Sequence, residues 1–332
     1  MKKSGPLLFT ICMVMLLSCK DTGPKERFLP PSTGGINSLM VVMDTELWKG
    51  GVGDKIREHF AAPVLGLPQG EPKFTITHIP TQVFKGATAY SRSVLYVEQD
   101  TLSLAHIKSD VYAKPQRIAV VKGETYNDLA GNIDALADKA IEAFKGVEIS
   151  EAQNRFMRSL SKDDALNKEF NIVLKVPSLY KVGKREKNFI WMDIQIPKGY
   201  MNIIAYEMPW NAFDNDSTFV DDIVKMRDSI GRKYIPGPDV PGKKTYMMTE
   251  KAFAPYIAPV EIGGKKAAEV RGIWEINGYP MAGPFLTYII NDKQNNRKLV
   301  LEGFTFAPSA EKRDYMFELE AILKTVEFDQ GS

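Results

Sequence analysis

From Asn171 to Phe306 the chain is laid out almost entirely as strands. Asn171 to Val176, Phe189 to Ile196, Met201 to Glu207, Thr245 to Thr249, Lys266 to Ile276, Pro284 to Asn291 and Lys298 to Phe306 alternate or run apolar. A single helical stretch interrupts them. It begins at Ser217, turns Phe219, Ile223, Met226 and Ile230 inward, and ends at Gly231. Long runs of strands between few helices predict an α+β fold with largely antiparallel sheets and flanking helices. Ser309 is placed to cap a last helix carrying Tyr315, Met316, Leu319, Ile322, Leu323 and Val326.

The first half follows a related plan. Leu39 to Met43 reads as a buried strand, and Asp44 or Thr45 can cap a helix with Trp48, Val52, Ile56 and Phe60 on its apolar face. Strand-like runs follow at Phe74 to Ile79, Ser93 to Val97 and Arg117 to Lys122. The next helix carries Leu129, Ile133, Leu136, Ala137, Ala140, Ile141 and Phe144 on one stripe. Residues 151–170 read as a helical connector between an N-terminal half, 36–150, and a C-terminal half, 171–328. Both halves read as strand, helix, three strands, helix. Val120 to Tyr126 also matches Val300 to Phe306 in polarity, so the expectation is a pair of diverged, duplicated halves.

The N-terminus carries the sharpest address. Lys2 and Lys3 precede the apolar run Leu7 to Leu17, which falls short of the ~20 residues that span a bilayer. Leu17-Ser18-Cys19 resembles a lipobox, so residues 1–18 read as a cleaved lipoprotein signal peptide. Cys19 becomes the lipidated first residue of the mature chain. Residues 19–35, polar and rich in proline and glycine, read as a tether. With Cys12 in the leader and Cys19 acylated, the mature chain has no thiol for a disulfide, a metal or a nucleophile. A net charge of +2 gives no general pull toward nucleic acid.

Leu39 to Trp48, Gly53 to Arg57, Leu67 to Pro72, Glu269 to Trp274, Gly283 to Phe285 and Arg313 to Tyr315 together resemble the Bacteroidota lipoproteins grouped as domain of unknown function family 4837. The resemblance spans most of the mature chain and implies a Gram-negative envelope protein held by its lipid at the outer membrane, on the periplasmic face or at the cell surface. In that phylum a lysine followed by acidic residues after the lipidated cysteine resembles a surface-export signal. Lys20-Asp21 supplies the lysine and one acid. The resemblance implies no activity.

Candidate chemistry is sparse. Gly237 to Thr245 has the glycine and lysine spacing of a phosphate loop, but Pro238 and Pro241 remove backbone donors and Lys244 stands where the hydroxyl belongs. Ser178-Leu-Tyr-Lys181 lacks the companion motifs of penicillin-binding enzymes. His59, His78 and His106 have no metal-ligand spacing. Asp214, Asp216, Asp221 and Asp222 lack the glycine and terminal glutamate of a calcium loop. No catalytic set, metal site or cofactor is expected. The residues suited to a binding surface are Trp48, Trp210 and Trp274, whose rings join an apolar face to a polar handle, and Arg57, Arg92 and Arg271 as anion partners. Asp100-Thr101-Leu102 resembles the Bacteroidota O-glycosylation acceptor, as do Asp216-Ser217-Thr218 and Asp228-Ser229-Ile230, and Thr101 is the best placed. The expectation is a lipid-anchored, non-enzymatic binding or assembly module for an envelope protein or ligand. The rival is an envelope hydrolase whose carboxylates are brought together by folding.

Overall fold

The computed structural model describes residues 28–213, 215 and 217–329. The leader, Cys19, and Asp214 and Asp216 of the acidic cluster lie outside the described residues. The fold is α+β, and its sheets are largely antiparallel.

The first sheet is built from β1 (Ser38–Val42), β2 (Thr75–Ile79), β3 (Ser93–Gln99), β4 (Leu104–Ser109) and β5 (Arg117–Gly123), in the order β2-β1-β3-β5-β4. Its pairings are parallel except that between β4 and β5. Helices α1 (Thr45–Lys49), α2 (Gly51–Phe60) and α3 (Tyr126–Phe156) cover one face, enclosing Leu39, Val41, Leu95 and Val121. Loop residues Phe84 and Val111 pack on the other face, over Val42, Val94 and Ile118. The single helix expected after β1 is two. Asp44 caps α1 by accepting from the N–H groups of Glu46 and Leu47, and Gly50 ends it in an extended conformation before α2 starts.

The second sheet joins β7 (Lys181–Glu186), β8 (Phe189–Ile196), β9 (Gly199–Pro209), β10 (Met247–Thr249), β11 (Tyr256–Ile262), β12 (Lys265–Ile276), β13 (Tyr279–Asp292) and β14 (Arg297–Phe306). The order is β10-β12-β13-β14-β9-β8-β7, with β11 also on β12, and every pairing is antiparallel. Helix α5 (Phe219–Tyr234) packs on one face through Ile223 and Met226. On the other lie α4 (Ala165–Phe170), α6 (Arg313–Leu323) and the end of α3. β6 (Ile172–Val173) and β15 (Glu327–Phe328) form a separate ribbon.

These two sheets do not repeat one another, because one is mostly parallel and the other wholly antiparallel. The likeness of Val120–Tyr126 to Val300–Phe306 has a local cause. A Cβ on Gly123 would lie 2.7 Å from the Asp128 Cβ, and one on Gly303 would lie 2.9 Å from the Leu319 Cβ. Each glycine lets a helix close on its strand, a shared packing demand that requires no duplication.

Three expected ends shift for tertiary reasons. Helix α5 begins at Phe219 and runs through Gly231 to Tyr234. That glycine is not a stop, since a Cβ there would sit 1.9 Å from the Met247 carbonyl oxygen. Ser309, at φ 60, precedes α6 without capping it. The Glu71 carboxylate caps α6 instead, accepting from the N–H groups of Lys312 and Arg313 at 2.7–2.9 Å. Residues 30–33, read as tether, are pinned: Lys114 N–H donates to Pro30, and Thr33 N–H to Tyr90.

Helix α3, 31 residues and so about 46 Å long, serves both halves. Leu129 to Phe144 belong to the first core, whereas Ala152 and Phe156 belong to the second. It thereby makes one wall of the space between them.

Candidate functional site

Strand β12 presents a different site on each face, because successive side chains alternate. Glu269 and Arg271 face a cleft between the halves, while Val270 and Trp274 face the core under α5.

The cleft has a volume of about 560 Å³ and is walled by Ile141, Lys145 and Ile149 of α3, Tyr256 and Ile257 of β11, and Met316, Phe317 and Glu320 of α6. Arg271 stands at its centre of charge. Its Nε donates to Glu269 Oε1 at 2.6 Å, and its Nη2 to Glu320 Oε2 at 2.8 Å. Tyr288 Oη donates to Glu269 Oε2 at 3.0 Å, and Lys324 Nζ to Glu320 Oε1 at 2.6 Å. Gly66, at φ +78, lets the 62–72 loop pass over this arginine, where a Cβ would lie 2.8 Å from the Arg271 Cβ.

Burial opposes ionisation of Glu320, but the charges of Arg271 and Lys324 prevail and hold its carboxyl down at about 2. It stays an anion throughout the physiological range. Burial pulls Lys145 down to about 8, against the acids Glu320, Asp314 and Glu148. Its ammonium donates to Asn37 Oδ1 at 2.6 Å and to the Lys73 carbonyl at 2.9 Å, and lies over Phe74 and Phe317. Asn37, the residue before β1, in turn donates to Asp314 of α6 at 2.9 Å. The lining holds more cations (Lys73, Lys145, Arg271, Arg313, Lys324) than carboxylates (Glu142, Glu269, Glu320). Leu65 and Tyr256, over half exposed, give it an apolar rim. Fixed charges beside apolar walls suit recognition of a ligand with an acidic group. They do not suit proton transfer by Glu320, whose affinity for a proton is far too low.

Trp274 lies 2% exposed on the opposite face of β12. With Trp191, Tyr200, Phe304, Phe306, Met281 and Ile235 it lines an aromatic pocket of about 460 Å³. Its ring meets Phe304 edge-on, with centroids 5.9 Å apart. Trp191 Nε1 donates to Asn202 Oδ1 at 3.0 Å, while Trp274 Nε1 is buried without a partner among the described residues.

The other expected residues sit elsewhere. Trp48 stacks on His78 at 5.0 Å, and the Arg57 guanidinium lies 4.5 Å above its ring, also bonded to Asp54. These are the only two of the expected binding residues that the fold brings together. Trp210 is half-buried beneath Lys298, 4.8 Å from its ring. Arg92 is consumed internally, its Nη1 donating to both Glu148 oxygens at 2.9 and 3.0 Å. Thr101 is exposed between β3 and β4, Ser217 donates to Asn215, and Ser229 donates within α5 to the Met226 carbonyl. The turn at 237–245 is closed by Thr245 Oγ1 donating to the Pro238 carbonyl. Among the described residues, no group of three or more His, Cys, Asp or Glu is placed to hold a metal ion.

Lys145, Glu320 and Asp193, which also line these two spaces, were not singled out from sequence. Glu269 and Arg271, two apart on one strand, offered a signal for a shared face. Lys145 and Glu320 offered none, since each reads as an ordinary polar position of a helix.

Residues 32–157 match the model of one family, domain of unknown function DUF8532, and residues 159–325 match another, domain of unknown function DUF4837. Leu39 to Pro72, quoted above as part of a whole-chain resemblance, thus falls to the first model. The two halves match the models of different families, in keeping with their unlike sheets. No curated protein matches the chain. The second match covers half of the 332 residues, and by it the chain belongs to the DUF4837 family.

Proposed function

We propose that this is a lipid-anchored protein of the Bacteroidota cell envelope, held at the outer membrane through Cys19, whose cleft between the halves receives an acidic segment of an envelope protein or an acidic envelope ligand. The lipobox-like Leu17-Ser18-Cys19 supports the anchor. One observation carries the binding role: among the described residues the cleft is lined by five cations, Lys73, Lys145, Arg271, Arg313 and Lys324, against three carboxylates, beside apolar walls. Glu320, held down at about 2, has no proton to give near neutral pH and does not serve as a general acid there.

Two experiments test this reading. Changing Cys19 to Ala should abolish incorporation of labelled fatty acid and release the protein from membranes; persistent labelling would end the lipoprotein assignment. Photo-crosslinking side chains placed at Leu65 and Tyr256, on the rim, should capture a discrete product in intact cells. The same groups at the exposed Leu102 and Val173 should not. Capture at all four positions, or at none, would argue against a ligand in the cleft.

A further inference from the structure

The aromatic pocket behind β12 contains a half-buried carboxylate with no side-chain partner among the described residues. Asp193, on β8, is the one charged side chain among its described lining residues. Its carboxylate has no hydrogen bond or ion pair with any described residue, and burial raises its affinity for a proton. Lys181 stands opposite it in the β7–β8 register, but that ammonium is turned to the Ser178 carbonyl, 3.5 Å away. Lys184, the next cation along β7, donates to the Tyr234 carbonyl and lies over the Tyr234 ring. Gly183 makes room for the acid: a Cβ there would be 2.9 Å from Asp193 Oδ1.

We infer that this pocket binds an organic cation, an ammonium group on an apolar body, with Asp193 as its counter-charge and the rings of Trp191 and Tyr200 beside it. A carboxylate accepts hydrogen bonds and cannot donate them, so the group that meets Asp193 must donate. No described lining residue is cationic, which disfavours phosphate and carboxylate ligands as occupants. Aromatic faces attract cations through their quadrupole, and the attraction grows where water is removed. The apolar remainder of the lining, Ile235, Met247, Ile276 and Met281, fits the hydrocarbon part of such a ligand. The site is separate from the cleft, so it stands whether or not the cleft binds an acidic partner.

Phenethylamine, its neutral analogue phenethyl alcohol, and methyl glucoside serve as probes, titrated into the detergent-solubilised full-length protein while tryptophan fluorescence is followed. Phenethylamine should bind at least about tenfold more tightly than phenethyl alcohol, the scale of one charge-assisted contact. Asp193→Asn should remove that preference and leave the alcohol's affinity unchanged, and Asp193→Glu should keep it. Circular dichroism of each variant establishes that it is folded. Equal binding of amine and alcohol, tighter binding of the glucoside, no binding of any probe, or an unchanged preference in Asp193→Asn would each overturn the inference.

Discussion

Truncating Arg227 to Ala is expected to destabilise the protein by about 4 kcal/mol, among the largest effects of any single change. Arg227, on α5, and Glu302, on β14, each have side chains only 1% exposed. Nε and Nη2 donate to the two Glu302 oxygens at 2.9 and 2.6 Å, Nη1 donates to Thr249 at 2.7 Å, and the guanidinium lies 3.3 Å from the Phe285 centroid. Removing it leaves a buried anion whose one remaining hydrogen-bond partner among the described residues is Thr287. Replacing both partners by apolar residues of similar volume, Arg227→Met with Glu302→Leu, removes the charge along with its partner and should recover most of the loss. Urea denaturation measures both. A loss below about 1 kcal/mol in the single variant would show that the carboxylate finds another partner.

Acid should unfold the cleft through Glu320. Its folded pKa, about 2, lies below the ordinary value of 4.5, so the group contributes stability that is fully present above pH 4.5 and lost as pH falls toward 2. The difference amounts to about 3 kcal/mol. Arg271→Met removes the main opposing charge, and two effects follow. Stability at pH 7 should drop by about 3 kcal/mol, because Glu269 and Glu320 lose their shared partner. The acid limb should also flatten, with Lys324 alone left to hold Glu320 ionised. Denaturation midpoints collected between pH 7 and 2 for both proteins decide it. Parallel pH profiles would mean that Arg271 does not set the state of Glu320.

Most of the strands and helices were legible because their residues obey a local period. Buried strands such as β8, β9 and β14 announce themselves by apolar runs. Of the strands without a sequence signal, β4, β7 and β11 lie at sheet margins, where one side meets water and the side chains are largely exposed or half-buried. Their pairing rests on backbone hydrogen bonds to a neighbour, which leave little mark on composition. The candidate site was less legible. Arg271 and Trp274 are expected from sequence on one binding surface, yet they lie on opposite faces of β12 and line two separate spaces. Arg227 occupies the inward stripe of α5, one turn from Ile223, but a charge on such a stripe acquires meaning only when its partner is known.

The amino-acid order by itself determined the α+β class, the strand-rich second half, a helix cap at Asp44 or Thr45, of which the fold uses Asp44, and the lack of any cysteine in residues 20–332. Each depends on residues a few positions apart. Tertiary structure alone decided that the first sheet is mostly parallel, that Glu71 caps a helix 241 residues away, and that Arg271 meets Glu320. A hydrogen bond or ion pair acts only at contact distance, and which distant residues reach contact is set by strand direction and register. Those follow from how the whole core packs, and no local pattern encodes them.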